Sequence, residues 1–363
     1  LLNPNHFFSP VRLESTKPDL ERKKGRKETD LSATQDQSPE AKSGTASASS
    51  VLAPFNFSLK TRALDRRPPS PSILRRRHLP AAMEFAVVEG ESFSPSCPTL
   101  IMPALSIGNV GQLAVDLLIS SARTRRVAYL DEPSVLPCAG NDAFGPDAVG
   151  DLTLALEAYE SASHGLAFVQ QRSPVITGMM VSFAKNVANF ARNIGKDHII
   201  ILSSLDSGKR RIIDASSGMQ VYYLSSCNED GSDPEYEKFG WKKLDGYDPC
   251  QRQWNCLASL VEGGKLSEDM IGDTDEMTIN DYYASLPFAA LFSACKAIGL
   301  KVSCVLCYCS EGDNMPESFQ LAEAACKVVG HGPEKFHGNG SNGWTIPLSW
   351  KSVYGPPPDM SIF

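Results

Sequence analysis

The sequence has no uninterrupted apolar run near the roughly 18 residues that a bilayer-spanning helix needs. Its longest apolar stretches have the length of a strand, so no membrane partner is expected. Histidine is scarce, six in 363 residues. From residue 83 onward only His164, His198, His331 and His337 are available as bases, and no G-x-S-x-G elbow accompanies them. None adjoins a convincing nucleophile along the chain, which counts against acyl-transfer chemistry. Basic charge is missing where nucleic acid would require it. Residues 83–363 carry 20 Lys/Arg against 34 Asp/Glu, whereas phosphate-backbone binding needs clustered cations to release counterions. No secretory pattern precedes the ten cysteines, so they are expected to be free thiols of a protein of the cytoplasm and nucleus.

What is present divides the chain in two. Residues 1–82 hold 15 Lys/Arg against 8 Asp/Glu and are rich in Ser, Pro and Ala, a composition that cannot bury a core. The chain starts at Leu1, and its first methionine is Met83. Residues 1–82 are therefore expected to be a disordered extension, either translated upstream sequence or a presequence. Glu14, Asp19, Glu21, Glu28 and Asp30 make it too acidic for a transit peptide.

After residue 83, short apolar runs alternate with amphipathic ones. Residues 99–105 (TLIMPAL) read as a buried strand, 110–122 as a helix and 126–131 as the next strand, a βαβ unit with a right-handed crossover. Residues 151–159 and 166–171 read as a hairpin, 176–193 as a helix closed by Gly195, and 198–203 as a strand covered on both faces. Order is expected to weaken over 204–278, with a short strand at 220–224 and an acidic insertion at 226–278. A helix at 280–298, a strand at 301–308 and a helix opened by Pro316 follow. The pattern predicts one three-layer α/β/α domain over residues 83–354 with a mainly parallel central sheet, then a Pro-rich tail at 355–363.

Four constellations invite chemistry. Gly108 and Gly111 sit where a strand meets a helix, a place for phosphate, with Asp131 at the spacing of a ribose-binding acid. The dinucleotide fingerprint fails because Ser106 stands where its first glycine belongs. The plainer reading has Asn109 capping the helix while both glycines allow close packing. Ser207, Gly208 and Lys209 superficially suggest a P-loop, but Ser203 replaces its first glycine and Arg210 its magnesium-binding hydroxyl. Cys304, Cys307 and Cys309 suggest a metal site, yet on a strand only Cys307 and Cys309 share a face, so core packing is expected. Glu311, Gly312, Asp313 and Asn314 occupy a carboxyl-edge loop, where open α/β sheets bind ligands. There the plainer reading is a turn with Asn314 as helix cap, on an acidic edge that repels phosphate. No cofactor, no metal and no catalytic residue is predicted.

The segment 100–120 (LIMPALSIGNVGQLAVDLLIS) closely resembles the amino-terminal signature of the proteasome assembly chaperones. Three further stretches agree in order and spacing: 199–204 (IIILSS), 310–316 (SEGDNMP) and 344–350 (WTIPLSW) followed by Tyr354 and a Pro-rich end. This resemblance singles out the loops holding Ser106, Gly108, Asn109, Val110, Gly111 and Gln112, and Glu311, Gly312, Asp313 and Asn314. It implies a fold related to nucleoside phosphorylases but without catalysis. It also implies a heterodimer with proteasome assembly chaperone 1, and binding to the α-subunits of the proteasome core. Such chaperones can dock through a tail with a penultimate tyrosine. Here the end is Ser361, Ile362 and Phe363, and a docking tail is expected from Pro357, Pro358, Asp359, Met360, Ser361, Ile362 and Phe363, stiffened by its prolines. The alternative is a phosphorylase-like or nucleotide-binding enzyme using the Gly108–Gly111 turn.

Overall fold

Leu100, Ile101 and Met102, the run of Ile199, Ile200, Ile201 and Leu202, and Val302 with Cys304 to Cys307 are apolar at consecutive positions. Such a pattern suits strands buried on both faces. In the computed structural model, which describes residues 82–144, 152–210, 220–264, 279–332 and 343–352, these runs form the middle of a nine-stranded sheet. The strands are β1 (Glu84–Val87), β2 (Thr99–Pro103), β3 (Arg125–Asp131), β4 (Ala139–Asn141), β5 (Leu152–Leu154), β6 (Leu156–Ser161), β7 (Leu166–Gln171), β8 (His198–Asp206), β9 (Val221–Ser225), β10 (Lys242–Lys243) and β11 (Lys301–Cys309). Their order is β1-β3-β6-β7-β2-β8-β11-β9-β10, with β4 and β5 paired separately. β7, β2, β8 and β11 run parallel, and antiparallel strands flank them on both sides.

Helices cover both faces. α1 (Val110–Ser121) and α7 (Met315–Val328) pack on one. The other carries α2 (Met180–Asn193), α4 (Arg252–Glu262), α5 (Ile279–Ala284) and α6 (Pro287–Ala297). Side chains alternate between the two cores as a strand's period of two requires: Ile199 and Ile201 face α2 and α6, while Ile200 and Leu202 face α1. Cys304 falls in the first core and Cys307 with Cys309 in the second. Burial pushes the Cys295 thiol up to about 12 and the Cys304 and Cys307 thiols well above their ordinary value, which opposes the thiolate that a metal would need. All ten cysteines are free, and among the described residues no three His, Cys, Asp or Glu are placed to hold a metal ion. No described helix is long and apolar enough to cross a membrane.

Several sequence expectations change. β2, α1 and β3 follow one another as read, but β3 is not the neighbour of β2, because the β6–β7 hairpin lies between them. The helix expected from residue 176 starts at Met180. The helix expected over 280–298 is two, because Pro287 opens α6 and ends the continuity from α5. Within the stretch expected to lose order, β9, α3 (Pro234–Lys238), β10 and α4 are built onto the sheet. Trp254, Leu257 and Val261 of α4 are buried, and the Trp254 indole N–H donates to the Gly246 carbonyl at 2.8 Å. The acidic stretch 267–276 lies outside the described residues, as do residues 1–81 and His337.

One polar cluster inside the sheet carries a pH signature. His198 Nε2 lies 2.9 Å from Ser303 Oγ, which is 2.6 Å from the Tyr236 hydroxyl. Burial, helped by the nearby Lys301 charge, lowers the His198 pKa to about 4. Folded protein therefore keeps this ring neutral where an unfolded chain, with a pKa near 6.5, takes up a proton. Its contribution to stability is present above pH ~6.5 and is lost as pH falls toward about 4. Denaturation midpoints measured from pH 7 to 4 should fall less steeply in His198→Gln than in the parent; equal slopes would contradict this assignment.

Candidate functional site

Three parallel strands end at one edge of the sheet, and the loops that leave them carry the motif residues. After β2 the chain turns through Ser106, Ile107 and Gly108 into α1. After β8 it enters a tight turn at Ser207–Lys209, and after β11 it passes Ser310 to Asn314 into α7.

Serine hydroxyls fasten the first loop to β8. Ser106 Oγ accepts from the Ser204 amide at 2.9 Å and from the Ser204 hydroxyl at 2.8 Å, and Ser204 Oγ lies 2.6 Å from the Ile107 carbonyl. The Cys309 thiol donates to that same carbonyl at 3.3 Å. Gly108 is held at φ +62°, and a Cβ there would stand 2.1 Å from the Asn314 amide nitrogen. Asn314, 206 positions further along, donates from that nitrogen to the Gly108 carbonyl at 3.4 Å and the Gly312 carbonyl at 3.1 Å. The two motif loops thus meet, and buried Asn314 is the pin between them.

Neither asparagine caps as expected. Asn109 occupies the position before α1 at φ 53°, but its side chain makes no capping bond. Asn314 turns its amide toward Gly108 and Gly312, while the Asp313 carboxylate accepts from the Met315 amide at 3.2 Å. Gly111 does permit close packing: a Cβ would lie 2.3 Å from the Leu202 carbonyl oxygen of β8. Val110 is fully buried beside it. Gln112 donates to the Gln171 carbonyl at 3.0 Å, and its own carbonyl accepts from Gln170 at 2.9 Å. One turn on, Asp116 forms a two-point ion pair with Arg172 at 2.9 and 3.2 Å. α1 is therefore bound to β7 on one side and pressed on β8 on the other.

Glu311, Gly312 and Asp313 are exposed at the rim. The edge is less acidic than expected, because Lys209 and Arg210 also reach it, lying 5.8 Å over the Tyr282 and Tyr308 rings respectively. The 207–209 turn is filled from within by Asp206, whose carboxylate accepts from the Gly208 amide at 2.8 Å. Asp131 ends β3, with two strands between it and β2, so it does not join Gly108 in a dinucleotide site. A contact between near neighbours in the chain lies elsewhere, in the β6–β7 turn. There His164 Nδ1 is 2.8 Å from Ser161 Oγ and 3.0 Å from Ser163 Oγ. Ser161 is buried and donates to the Ala122 carbonyl at 2.6 Å, so its hydroxyl braces the turn.

The motif at 344–350 folds onto the α1 and α7 face. Trp344 and Trp350 are buried and both pack on Phe319. The tail residues Pro357, Pro358, Asp359, Met360, Ser361, Ile362 and Phe363 lie outside the described residues.

The chain is similar to a protein of Danio rerio named proteasome assembly chaperone 2, with 30% identity over 266 residues that cover 71% of this chain and 91% of the relative. The protein of that name from Nematostella vectensis is 31% identical over 232 residues, 61% of this chain and 85% of its own. The human one is 24% identical, covering 71% and 91%. Among solved structures, PbaA of Pyrococcus furiosus, described as an archaeal homologue of proteasome-assembly chaperone, aligns with 69% of this chain and 82% of its own at 15% identity and a TM-score of 0.45. The model of the PAC2 family matches residues 100–331, from the second residue of β2 to just beyond α7. With that match over well more than half its length, the chain belongs to the PAC2 family.

Proposed function

We propose that the chain is a non-catalytic chaperone of proteasome assembly, which pairs with proteasome assembly chaperone 1 and promotes formation of the core-particle α-ring in the cytoplasm and nucleus. The observation that carries this reading is the similarity, over nearly the whole of their length, to relatives named proteasome assembly chaperone 2. The carboxyl edge supports it. A phosphate beside Gly108 would need the space of the Asn314 amide, and beside Gly111 that of the Leu202 carbonyl, so the turn serves loop packing. Exposed apolar side chains supply surface for a protein partner: Phe85 and Val87 on edge strand β1, and Leu136, Leu152 and Ile176 elsewhere. In cells lacking this protein, native gels should show depletion of complete α-rings and accumulation of off-pathway assemblies. A normal set of intermediates would refute the proposal.

Within this reading, residues 355–363 are the segment that docks between α-subunits, Ile362 and Phe363 providing apolar anchors. Deleting 355–363 should weaken α-ring capture at least tenfold while leaving the thermal midpoint within about 2 °C of the parent, because the deleted segment follows the buried Trp344 and Trp350. Unchanged capture by the folded, truncated protein would remove the tail from the mechanism.

A further inference from the structure

A cavity of about 340 Å³ lies away from the loops that hold Gly108 and Asn314. It opens beside the end of α1, the start of β3 and the segment 142–144, and Thr345 closes one side. Its size is at the lower end of the range for small-molecule sites.

The residue that marks it is Arg123. α1 ends at Ser121, Ala122 closes its last turn, and Arg123 takes the left-handed conformation at φ 49°. Glycine is the residue that occupies this position without strain, and a side chain there is paid for by its surroundings. Arg123 is exposed, lines the cavity, and has neither an ion-pair nor a hydrogen-bond partner among the described residues. The other guanidinium in the wall is already neutralised, since Arg126 is paired with the buried Glu157 at 3.1 Å. Asp142 supplies a carboxylate to the same cavity. One oxygen of that carboxylate accepts from the Phe144 amide at 3.0 Å.

The aromatic wall is fixed. Phe144 meets Tyr159 edge to face at 5.7 Å, and the Arg172 guanidinium stacks on Phe144 at 5.6 Å. Thr345 is strapped to α1 because its amide donates to Ser121 Oγ at 2.9 Å. These contacts hold the wall in place before any ligand arrives, which reduces the entropy lost on binding.

We propose that this cavity binds a small organic carboxylate with an aromatic or apolar body and a hydrogen-bond donor next to the carboxylate. Arg123 grips the carboxylate through two parallel N–H donors. Asp142 takes the adjacent hydroxyl or ammonium, and the Phe144 and Tyr159 rings with Ile119 cover the body. A dianion such as phosphate is disfavoured, because Asp142 faces it across the same space.

The test titrates the full-length chain with 3-phenyllactate, phenylalanine, benzoate and inorganic phosphate, reading binding by calorimetry and by the shift of the Arg123 side-chain NMR signal. Phenyllactate and phenylalanine should saturate, benzoate should bind several-fold more weakly, and phosphate should give no saturable signal. Arg123→Gly should weaken phenyllactate at least tenfold while holding or raising the folding midpoint, because glycine accepts the left-handed turn. A cation that merely complements the end of α1 would give a different result, with the midpoint falling and ligand binding unchanged. Arg123→Gln provides the same reading if the glycine variant folds poorly, and Asp142→Asn should erase the preference for phenyllactate over benzoate. The proposal is overturned if none of the carboxylates saturates, if phosphate binds as well as they do, or if both Arg123 variants bind like the parent.

Discussion

Replacing Lys196 with methionine is expected to cost about 3–5 kcal/mol of stability, the range for breaking one side of a buried ion pair. The ammonium is fully buried and lies 2.7 Å from Glu160. It also donates to the Cys97 carbonyl at 2.8 Å and the Ser94 carbonyl at 3.4 Å, while Glu160 accepts from the Ser94 amide. Methionine would fill the volume but leave the carboxylate in the sheet without its cation, and the 94–97 turn without two of its ties. The loss corresponds to a fall in thermal midpoint on the order of 10 °C for a domain of this size. Chemical denaturation of Lys196→Met, Glu160→Leu and the double variant measures it. The double variant should recover more than half of the loss, because it removes both charges from the interior. A single-variant loss under about 1 kcal/mol would mean that water reaches the pair.

The second large effect is expected at Gly111. Its Cα rests against the Leu202 carbonyl, and a Cβ would come to 2.3 Å from that oxygen and 3.0 Å from its carbon. Backbone of a central strand cannot swing aside as a flexible side chain can. Gly111→Val should therefore lift the first turn of α1 from β8 and strain the ties of Gln112 to β7. A loss of about 3 kcal/mol or more follows from overpacking of this kind, seen as insoluble protein or a midpoint lowered by about 10 °C. Gly108→Ala is the internal comparison. It meets a side chain, Asn314, rather than strand backbone, and a positive φ, so it should cost less than Gly111→Val, about 1–2 kcal/mol from the backbone and the displaced Asn314 bonds. If the two variants lost equal stability, the close approach at Gly111 would not be what positions the helix.

Much of this architecture is legible in the sequence for physical reasons. Continuous runs such as 199–202 suit strands buried on both faces, and β8 lies at the heart of the sheet. The odd spacing of Cys304 and Cys307 separates them onto opposite faces, and the two cores contain them as that spacing requires. Gly195 and Gly299 mark helix ends, each in the left-handed conformation with the following amide bonded back into the last turn.

Other features escape because their cause is not local. β1 is a four-residue strand on the sheet edge, exposed throughout, and its run Phe85-Ala86-Val87-Val88 is too short to announce which strand it pairs with. In α4 the helical spacing of Trp254, Leu257 and Val261 is present in the sequence, but acidic neighbours make the region resemble an insertion. The candidate site is the least legible part. Ser106, Gly108 and Glu311 to Asn314 lie in loops while Val110, Gly111 and Gln112 open α1, yet the bonds of Asn314 to Gly108 and Ser204 to Ser106 join positions 206 and 98 residues apart. Both asparagines sit at cap positions, and neither side chain caps; that outcome depends on what the opposite loop offers.

The central claim, that this chain works as an assembly chaperone through protein partners, is tested most directly by purifying the protein comprising residues 83–363 from its own cells under gentle salt and identifying all that copurifies by mass spectrometry. The account predicts a second assembly chaperone in about equal amount, together with proteasome α-subunits and immature β-subunits. Recovery of the intact, folded protein with neither a second chaperone nor proteasome subunits would contradict it.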